Sequence, residues 1–213
     1  MKNFFKTMIR VGQRIIDQPW FYPFVLLLAG LCAYGIIFTR PGFFWDDWTF
    51  VYFYKLKQSA ALSLHYLPSR PFTGWLYFVL FTFTKMTPIA WQFVALIIRW
   101  LGILFIYYTL NAIWPTRVWQ NKWVGVLMFV FPGFLSQPAS VGYSQHFSTF
   151  LLFACSLFLT VLAIKQRKFF WLWMPLAVVL GVAQMFITEF FVALEIIRVP
   201  IIWFAIQSQQ EKK

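Results

Sequence analysis

Long apolar runs separated by short polar clusters dominate the pattern of this chain. The nineteen residues from Phe21 to Thr39 carry no charged side chain, and an α-helix needs about 20 apolar residues to cross a bilayer. Similar runs recur up to residue 206. We predict six membrane-spanning helices, over residues 21–39, 89–112, 123–141, 147–164, 169–188 and 190–206. The predicted fold class is therefore all-α, a polytopic transmembrane helical bundle.

The first twenty residues have a different pattern. Polar side chains recur there at spacings of three and four, at Asn3, Lys6, Thr7, Arg10, Gln13, Arg14 and Asp17. Such spacing places them on one helix face and leaves the apolar residues on the other. We predict that residues 1–20 form a basic amphipathic helix on the cytoplasmic membrane surface. Residues 207–213 are predicted to be a cytoplasmic tail.

A long loop, residues 40–88, follows the first apolar run and contains two helix-like segments, Asp47–Leu62 and Pro71–Thr84. The second has fourteen uncharged residues, which is short for a span. If it lies on the surface, eleven Lys and Arg residues fall on the cytoplasmic side and five on the other. If it spans the membrane, five fall on the cytoplasmic side and eleven on the other. Because cytoplasmic loops are enriched in Lys and Arg, the charges favour a large outer loop with interfacial helices.

Composition supports a membrane protein. Hydrophobic residues make up 61% of the chain and charged residues 11%, far from the balance of a soluble domain. The net charge of +12 does not indicate a nucleic-acid partner, because the basic residues form short clusters between apolar runs, where they orient spans and contact membrane lipid. Cys32 and Cys155 lie in apolar runs and are interpreted as small hydrophobic residues. With two histidines and no metal-ligand spacing, no dedicated metal site is predicted.

Asp46 and Asp47 are the most informative polar residues. Only six acidic residues occur in the chain, and these two are adjacent, between Trp45 and Trp48, just after the first span. Paired carboxylates at a membrane interface are costly and indicate chemistry or a cation. One can act as a general base while the other caps the following helix or binds a divalent cation. Alternatively, both stabilise the start of that helix.

Three basic residues are candidates for phosphate binding or for structural pairing. Arg70 precedes Pro71 at a predicted helix start, where an anion is favoured, although an arginine there can also reach lipid headgroups. Arg99 lies inside an apolar run and must face protein, a cavity or an anion. Either a structural partner such as Glu195 or a substrate phosphate can neutralise the charge of Arg99. Arg198 follows Glu195 by three residues, so this pair is predicted to neutralise itself.

Three further residues complete the candidate set. His146 is interpreted as a substrate contact or a hydrogen-bonded structural residue, and so is His65. Glu189 can bind a sugar hydroxyl or assist a catalytic group. In the six-span arrangement Arg99 lies within a span. The other candidates all fall on the outer side, namely Asp46, Asp47, His65, Arg70, His146 and Glu189. We therefore predict that they converge in one pocket there.

The order of these features resembles the N-terminal module of GT-C-type membrane glycosyltransferases, in the protein O-mannosyltransferase and aminoarabinose transferase superfamily. The similarity lies in a basic N-terminus and one span, an outer loop with an acidic pair, a basic residue before Pro71 and an arginine early in the next span, at Arg99. It implies a polyprenyl-phosphate-linked sugar donor, Asp46 as catalytic carboxylate, with Asp47 replacing a glutamate, and Arg70 facing the donor phosphate. The second outer turn, residues 140–147, lacks the Asp that several members carry.

The functional prediction is a membrane glycosyltransferase, or the N-terminal part of one, acting on the non-cytoplasmic side. The alternative is a non-enzymatic polytopic membrane protein, such as a transporter subunit, a lipid-binding protein or an assembly scaffold. The predicted location is the bacterial inner membrane, with both termini cytoplasmic.

Overall fold

The computed structural model describes residues 18–131 and 137–210. In these two ranges all regular structure is helical. The α-helices are α1 (Phe21–Tyr34), α2 (Asp47–Tyr66), α3 (Pro71–Thr84), α4 (Pro88–Ile113), α5 (Val118–Val130), α6 (Ser140–Lys165), α7 (Phe170–Met185) and α8 (Glu195–Gln210). Short 3₁₀ segments cover Gly35–Thr39, Pro115–Arg117, Arg167–Phe169 and Glu189–Leu194. The predicted amphipathic leader lies almost wholly outside the described residues.

Four helical segments are long and apolar enough to cross a membrane, namely Phe21–Thr39, Pro88–Ile113, Ser140–Lys165 and Arg167–Met185. These are the features of a helical membrane protein, which confirms the predicted class. The other two predicted spans correspond to α5, which has 13 residues, and to α8, which has 16. Both are shorter than a typical span, so the count of six stays a prediction. Helix α6 begins at Ser140, seven residues before the predicted span.

Hydrogen bonds near the helix ends show the direction of each helix. The Gln92 amide donates to the Pro138 carbonyl just before α6 (2.6 Å), and Lys165 donates to the Ala112 carbonyl at the far end. Helices α4 and α6 are therefore parallel. Helix α1 runs the opposite way, because the Tyr22 ring near its start packs on Tyr107 in the second half of α4, with centroids 4.1 Å apart, whereas Tyr34 at its end contacts Arg99 in the first half.

The remaining helices continue this alternation. The Tyr22 and Tyr34 hydroxyls of α1 donate to the carbonyls of Lys122 and Phe129, so α5 is parallel to α1. Helix α7 returns antiparallel to α6 after a short turn. Helix α8 is parallel to α6, because Arg198 donates to Thr160 and Gln209 donates to the Ile164 carbonyl. Six helices thus pass through one bundle in alternating directions.

Helix α3 lies across one end of this bundle. Its Thr73 donates to the Ile187 carbonyl just after α7, and its Tyr77 donates to the Val141 carbonyl at the start of α6 (2.9 Å). Its Phe81 ring packs against Trp91 at the start of α4, with centroids 4.7 Å apart. We call this end, which carries residues 40–87, the loop end. The opposite end carries Arg117, Lys122, Lys165, Arg167 and Lys168 and is called the basic end.

A close helix contact predicts a mutational effect. A Cβ on Gly30 of α1 would overlap the Phe129 ring, which is fully buried. Gly30→Ala is therefore expected to destabilise the protein by about 1–3 kcal/mol through overpacking, measured by reversible unfolding in mixed micelles. Gly35→Ala is the matched control, because no atom lies within 4 Å of its Cβ position. Equal stability of the two variants would contradict the close packing of α1 on α5.

Candidate functional site

Asp47 connects two distant parts of the chain. It begins α2, but its Oδ1 accepts the Gly142 N–H at the start of α6 (2.8 Å) and its Oδ2 accepts the Phe44 N–H (3.2 Å). The N-terminal N–H groups of a helix lack intrahelical partners, so the carboxylate satisfies one of them. Asp47 therefore caps a helix 95 residues away. It also closes the turn that enters α2, because the Phe44 N–H bonds to its carboxylate and its own N–H bonds to the Phe44 carbonyl.

Burial changes the ionisation of Asp47. Its side chain is fully enclosed, and burial raises the pKa of Asp47 from 3.8 to about 6, while the N–H groups of Gly142 and Phe44 partly oppose this rise. Desolvation disfavours the charged carboxylate, whereas the donated hydrogen bonds favour it. The group consequently titrates close to neutrality.

Asp46 has the opposite environment. Its side chain is exposed, and its Cβ lies 3.5 Å from the Cβ position of Gly142. Trp45, immediately before it, has a φ of 49°, a left-handed conformation that is uncommon for a bulky residue and is often retained at functional sites. The adjacent carboxylates thus separate into a buried one that binds backbone and an exposed one that faces outward beside the start of α6.

This arrangement does not fit the divalent cation that we considered for Asp46 and Asp47. Both oxygens of Asp47 already accept backbone N–H groups, and a hard cation needs several oxygen ligands. Within residues 18–131 and 137–210, no group of three His, Cys, Asp or Glu side chains is placed to bind a metal. We therefore derive no step through a metal ion.

Arg70 and Glu189 form an ion pair between α3 and the 3₁₀ segment that precedes α8. Arg70 stands at the N-terminus of α3, and its guanidinium lies 5.7 Å from the centroid of the Phe190 ring. The hydrogen bond from Arg70 lowers the pKa of Glu189. Arg70 is half-buried, with 26% of its side chain exposed, while Glu189 is 60% exposed. An anion can thus reach Arg70 only by sharing it with Glu189 or displacing Glu189.

His146 lies beside this ion pair. Its ring centroid is 5.7 Å from that of Phe190, 5.8 Å from that of Phe191 and 5.2 Å from that of Tyr143. Phe190 therefore contacts both His146 and Arg70. The structure brings His146, Arg70 and Glu189 together, although they are far apart in sequence. That they share one pocket with Asp46 stays a prediction.

Tyr77 binds the same turn at the start of α6 as Asp47 does, and the sequence did not single it out. The Tyr77 side chain is fully buried, and its hydroxyl contacts the carbonyls of Val141 and Gly142 at 2.9 and 3.3 Å. Burial raises the pKa of Tyr77 well above its usual range, so it remains a hydrogen-bond donor. The only signal in the sequence was that Tyr77 is the one phenol in the uncharged run of α3. Nothing in the sequence indicated that the Gly142 N–H donates to Asp47.

Two predicted residues lie apart from this cluster. His65 is exposed near the end of α2 and packs on Phe53, with ring centroids 4.8 Å apart. Arg99 is 1% exposed and donates to the Tyr34 hydroxyl and the Phe129 carbonyl, both at 2.6 Å. These contacts tie α4 to α1 and α5.

Glu195 is not the structural partner of Arg99. It pairs with Arg198, with Oε2 and Nε 2.5 Å apart, as the three-residue spacing predicted. The phosphate interpretation of Arg99 stays a prediction, but the described contacts of its guanidinium are with protein groups.

The fold and this cluster define a helical membrane protein with a charged and polar site at one end of its bundle. No protein-family model matches the chain, and comparisons with curated proteins and with solved structures gave no significant match.

Proposed function

We propose that this chain is a membrane glycosyltransferase, or the N-terminal part of one, that moves a sugar from a polyprenyl-phosphate-linked donor to an acceptor. The observation that carries the proposal is that the neighbouring Asp46 and Asp47 have different environments. Asp47 binds the start of α6, which leaves Asp46 exposed at the end of the bundle where Arg70, His146 and Glu189 also lie. The resemblance in the order of sequence features supports the same activity.

The proposed reaction uses Asp46 as general base and Arg70 as the phosphate contact. An acceptor hydroxyl approaches Asp46, which takes its proton as the oxygen attacks the anomeric carbon. The bond between that carbon and the phosphate oxygen breaks, and its electron pair leaves with the lipid phosphate. Arg70 stabilises the negative charge that develops on this phosphate. Glu189, released from Arg70 when phosphate binds, is then available to accept a hydrogen bond from a sugar hydroxyl.

The same proposal assigns an orientation to the bundle. Residues 1–20 and 207–213 adjoin the helix termini at the basic end, and with them eleven Lys and Arg residues are assigned to that end and five to the loop end. Because Lys and Arg concentrate in cytoplasmic loops, the basic end is assigned to the cytoplasm and the loop end to the outer side. With six spans and α3 in the headgroup layer, the proposed reaction occurs on the non-cytoplasmic side of a bacterial inner membrane. The contacts of α3 across the loop end support this placement.

The decisive experiment measures consumption of radiolabelled undecaprenyl-phosphate-linked hexose and pentose donors by the full chain in proteoliposomes. Asp46→Asn and Arg70→Met are each expected to lower donor consumption by at least about 10²-fold, because each removes a group that acts in the transition state. Lys85→Met is the charge-matched control for Arg70→Met, since exposed Lys85 lies at the opposite end of α3. Donor consumption that is absent from the unmodified chain, or unchanged in both variants, would refute the proposal.

The non-enzymatic alternative is favoured by one observation. The Glu195–Arg198 pair lies inside the bundle, where ionisable residues of transporters are usually found. Acidic groups at the loop end, however, outnumber this one internal carboxylate among the described residues. If Glu195→Gln impairs solute flux across proteoliposomes while Asp46→Asn has no effect on any activity, the transporter interpretation replaces the enzyme.

A further inference from the structure

A second polar site lies inside the bundle, away from the loop end. A cleft of about 250 Å³ separates α7 from α8, and α6 forms its floor. Ser156 on this floor is fourteen residues beyond Gly142, or about 21 Å along the helix. The cleft is therefore distinct from the candidate site at Asp46 and Asp47.

The cleft has apolar walls and a polar floor. Its walls include Met174, Val178 and Val182 of α7 and Ile202 of α8. Its floor is formed by Ser156, Thr160, Glu195 and Arg198. Apolar walls with a few convergent polar groups are typical of small-molecule sites.

The hydrogen bonds of the floor show which of its polar groups remain available to a ligand. Arg198 donates to both oxygens of Glu195 (2.5 and 2.9 Å), to Thr160 Oγ1 (2.9 Å) and to Ser156 Oγ (3.1 Å). These bonds use four of the five N–H groups of a guanidinium and leave one on Nη1. The Ser156 and Thr160 hydroxyls donate to the carbonyls of Ala177 and Ser156. Gln184 Nε2 also donates to Glu195 Oε1 (2.9 Å). The floor thus offers one donor, at Arg198 Nη1, and as its charged acceptor one remaining lone pair on Glu195 Oε2.

Charge and access define the class of ligand. The Glu195–Arg198 pair is neutral as a whole, so it attracts neither an anion nor a cation strongly. Its side chains are still 20% and 18% exposed in the cleft, which is costly beside hydrocarbon unless a polar group covers them. Val178 and Val182 are 56% and 46% exposed, so the cleft opens sideways between the helices. A partner helix, about 10 Å wide, does not fit a cleft of this volume.

We propose that this cleft binds an uncharged single-chain amphiphile whose hydroxyl group accepts from Arg198 Nη1 and donates to Glu195. Its hydrocarbon chain lies along Met174, Val178 and Val182 and leaves the cleft toward the lipid. A hydroxyl satisfies both remaining groups at once, whereas an ester carbonyl accepts only and an ammonium donates only. This site is independent of the proposed glycosyltransferase activity.

The test uses the full chain in phosphatidylcholine nanodiscs and a photoactivatable C16 primary alcohol as the probe. The alcohol is expected to label residues 174–185 about tenfold more than a photoactivatable alkane of equal length, since it gains one or two net hydrogen bonds. Val178→Trp fills the cleft and is expected to reduce labelling by the alcohol to that of the alkane.

Val179→Trp is the matched control, because Val179 is exposed on α7 but does not line the cleft, and labelling is expected to persist in it. Both variants leave the Glu195–Arg198 pair intact, so loss of labelling in Val178→Trp alone is not a failure of folding. Equal labelling by alcohol and alkane would show ordinary lipid contact and overturn the proposal. Stronger labelling by the corresponding fatty acid or alkyl phosphate would also overturn it, since recognition would then depend on charge.

Discussion

Asp47→Asn is expected to abolish a fall in stability of about 3 kcal/mol between pH 4 and pH 6. The pKa of Asp47 rises from 3.8 to about 6 on folding because the side chain is buried. The folded protein therefore binds this proton more tightly than the unfolded chain does. The stability from this group is fully present below about pH 4, decreases as the pH rises toward 6 and is lost above it. A shift of this size corresponds to about 3 kcal/mol.

This prediction is tested by comparing the free energies of unfolding of the original chain and Asp47→Asn in mixed micelles from pH 4 to pH 7. Asparagine has the shape of the protonated aspartate and does not titrate, so the difference between the two curves isolates this carboxyl group. Asp46→Asn is the control, because it makes the same chemical change at the adjacent, exposed position. A pH profile that is parallel for Asp47→Asn and the original chain would show that Asp47 is not buried against α6.

Arg198→Met is expected to destabilise the protein by about 3 kcal/mol. It removes the partner of Glu195 and leaves that carboxylate in an apolar part of the bundle, a change that typically costs about 3–5 kcal/mol for a buried pair. The expected effect is at the lower limit, because about a fifth of each side chain remains exposed. Reversible unfolding in bicelles measures it.

The double variant Arg198→Met/Glu195→Gln separates charge from packing. It also removes the unpaired carboxylate, and Gln184 can still bond to the amide, as it now bonds to Glu195 (2.9 Å). The double variant should therefore be more stable than Arg198→Met alone. Additive losses would mean that the two side chains contribute independently and that the ion pair is unimportant.

The Glu195–Arg198 pair is close in sequence to the ion pair at the loop end. Gln184 of α7 donates a hydrogen bond to Glu195 of α8, so this bond joins the residues on either side of the segment 185–194. Glu189, which pairs with Arg70, lies within that segment. Glu189 and Glu195 therefore lie at the two ends of one short 3₁₀ segment, and each has its own arginine partner.

Local patterns predicted a large part of this structure. Helix α3 begins at Pro71 and ends at Thr84, as its apolar run between Arg70 and Lys85 indicated. Helix α4 covers 88–113 against a predicted 89–112. The pairing of Glu195 with Arg198 was also predicted. In each case the signal lies within a few residues along one helix, where side chains three and four apart are neighbours.

The roles of the two aspartates were decided only by tertiary contacts. In the sequence Asp46 and Asp47 are equivalent neighbours, and both interpretations of them remained open. Their separation depends on Gly142, whose N–H reaches Asp47 across 95 residues, and on Tyr77, which binds the same turn from a third helix. Likewise, nothing near Arg70 in the sequence indicates Glu189, 119 residues away.

The residue order alone was sufficient for the helical membrane class, the main apolar helices and the set of polar residues that gather at the loop end, because bilayer insertion and helix formation depend on about twenty consecutive residues. Which carboxylate is buried, which arginine meets an acidic partner and where the internal cleft opens depended on helices packing across the bundle. The free-energy cost of an ionised side chain depends on how deeply it is buried. These side chains are buried only after the helices have packed together.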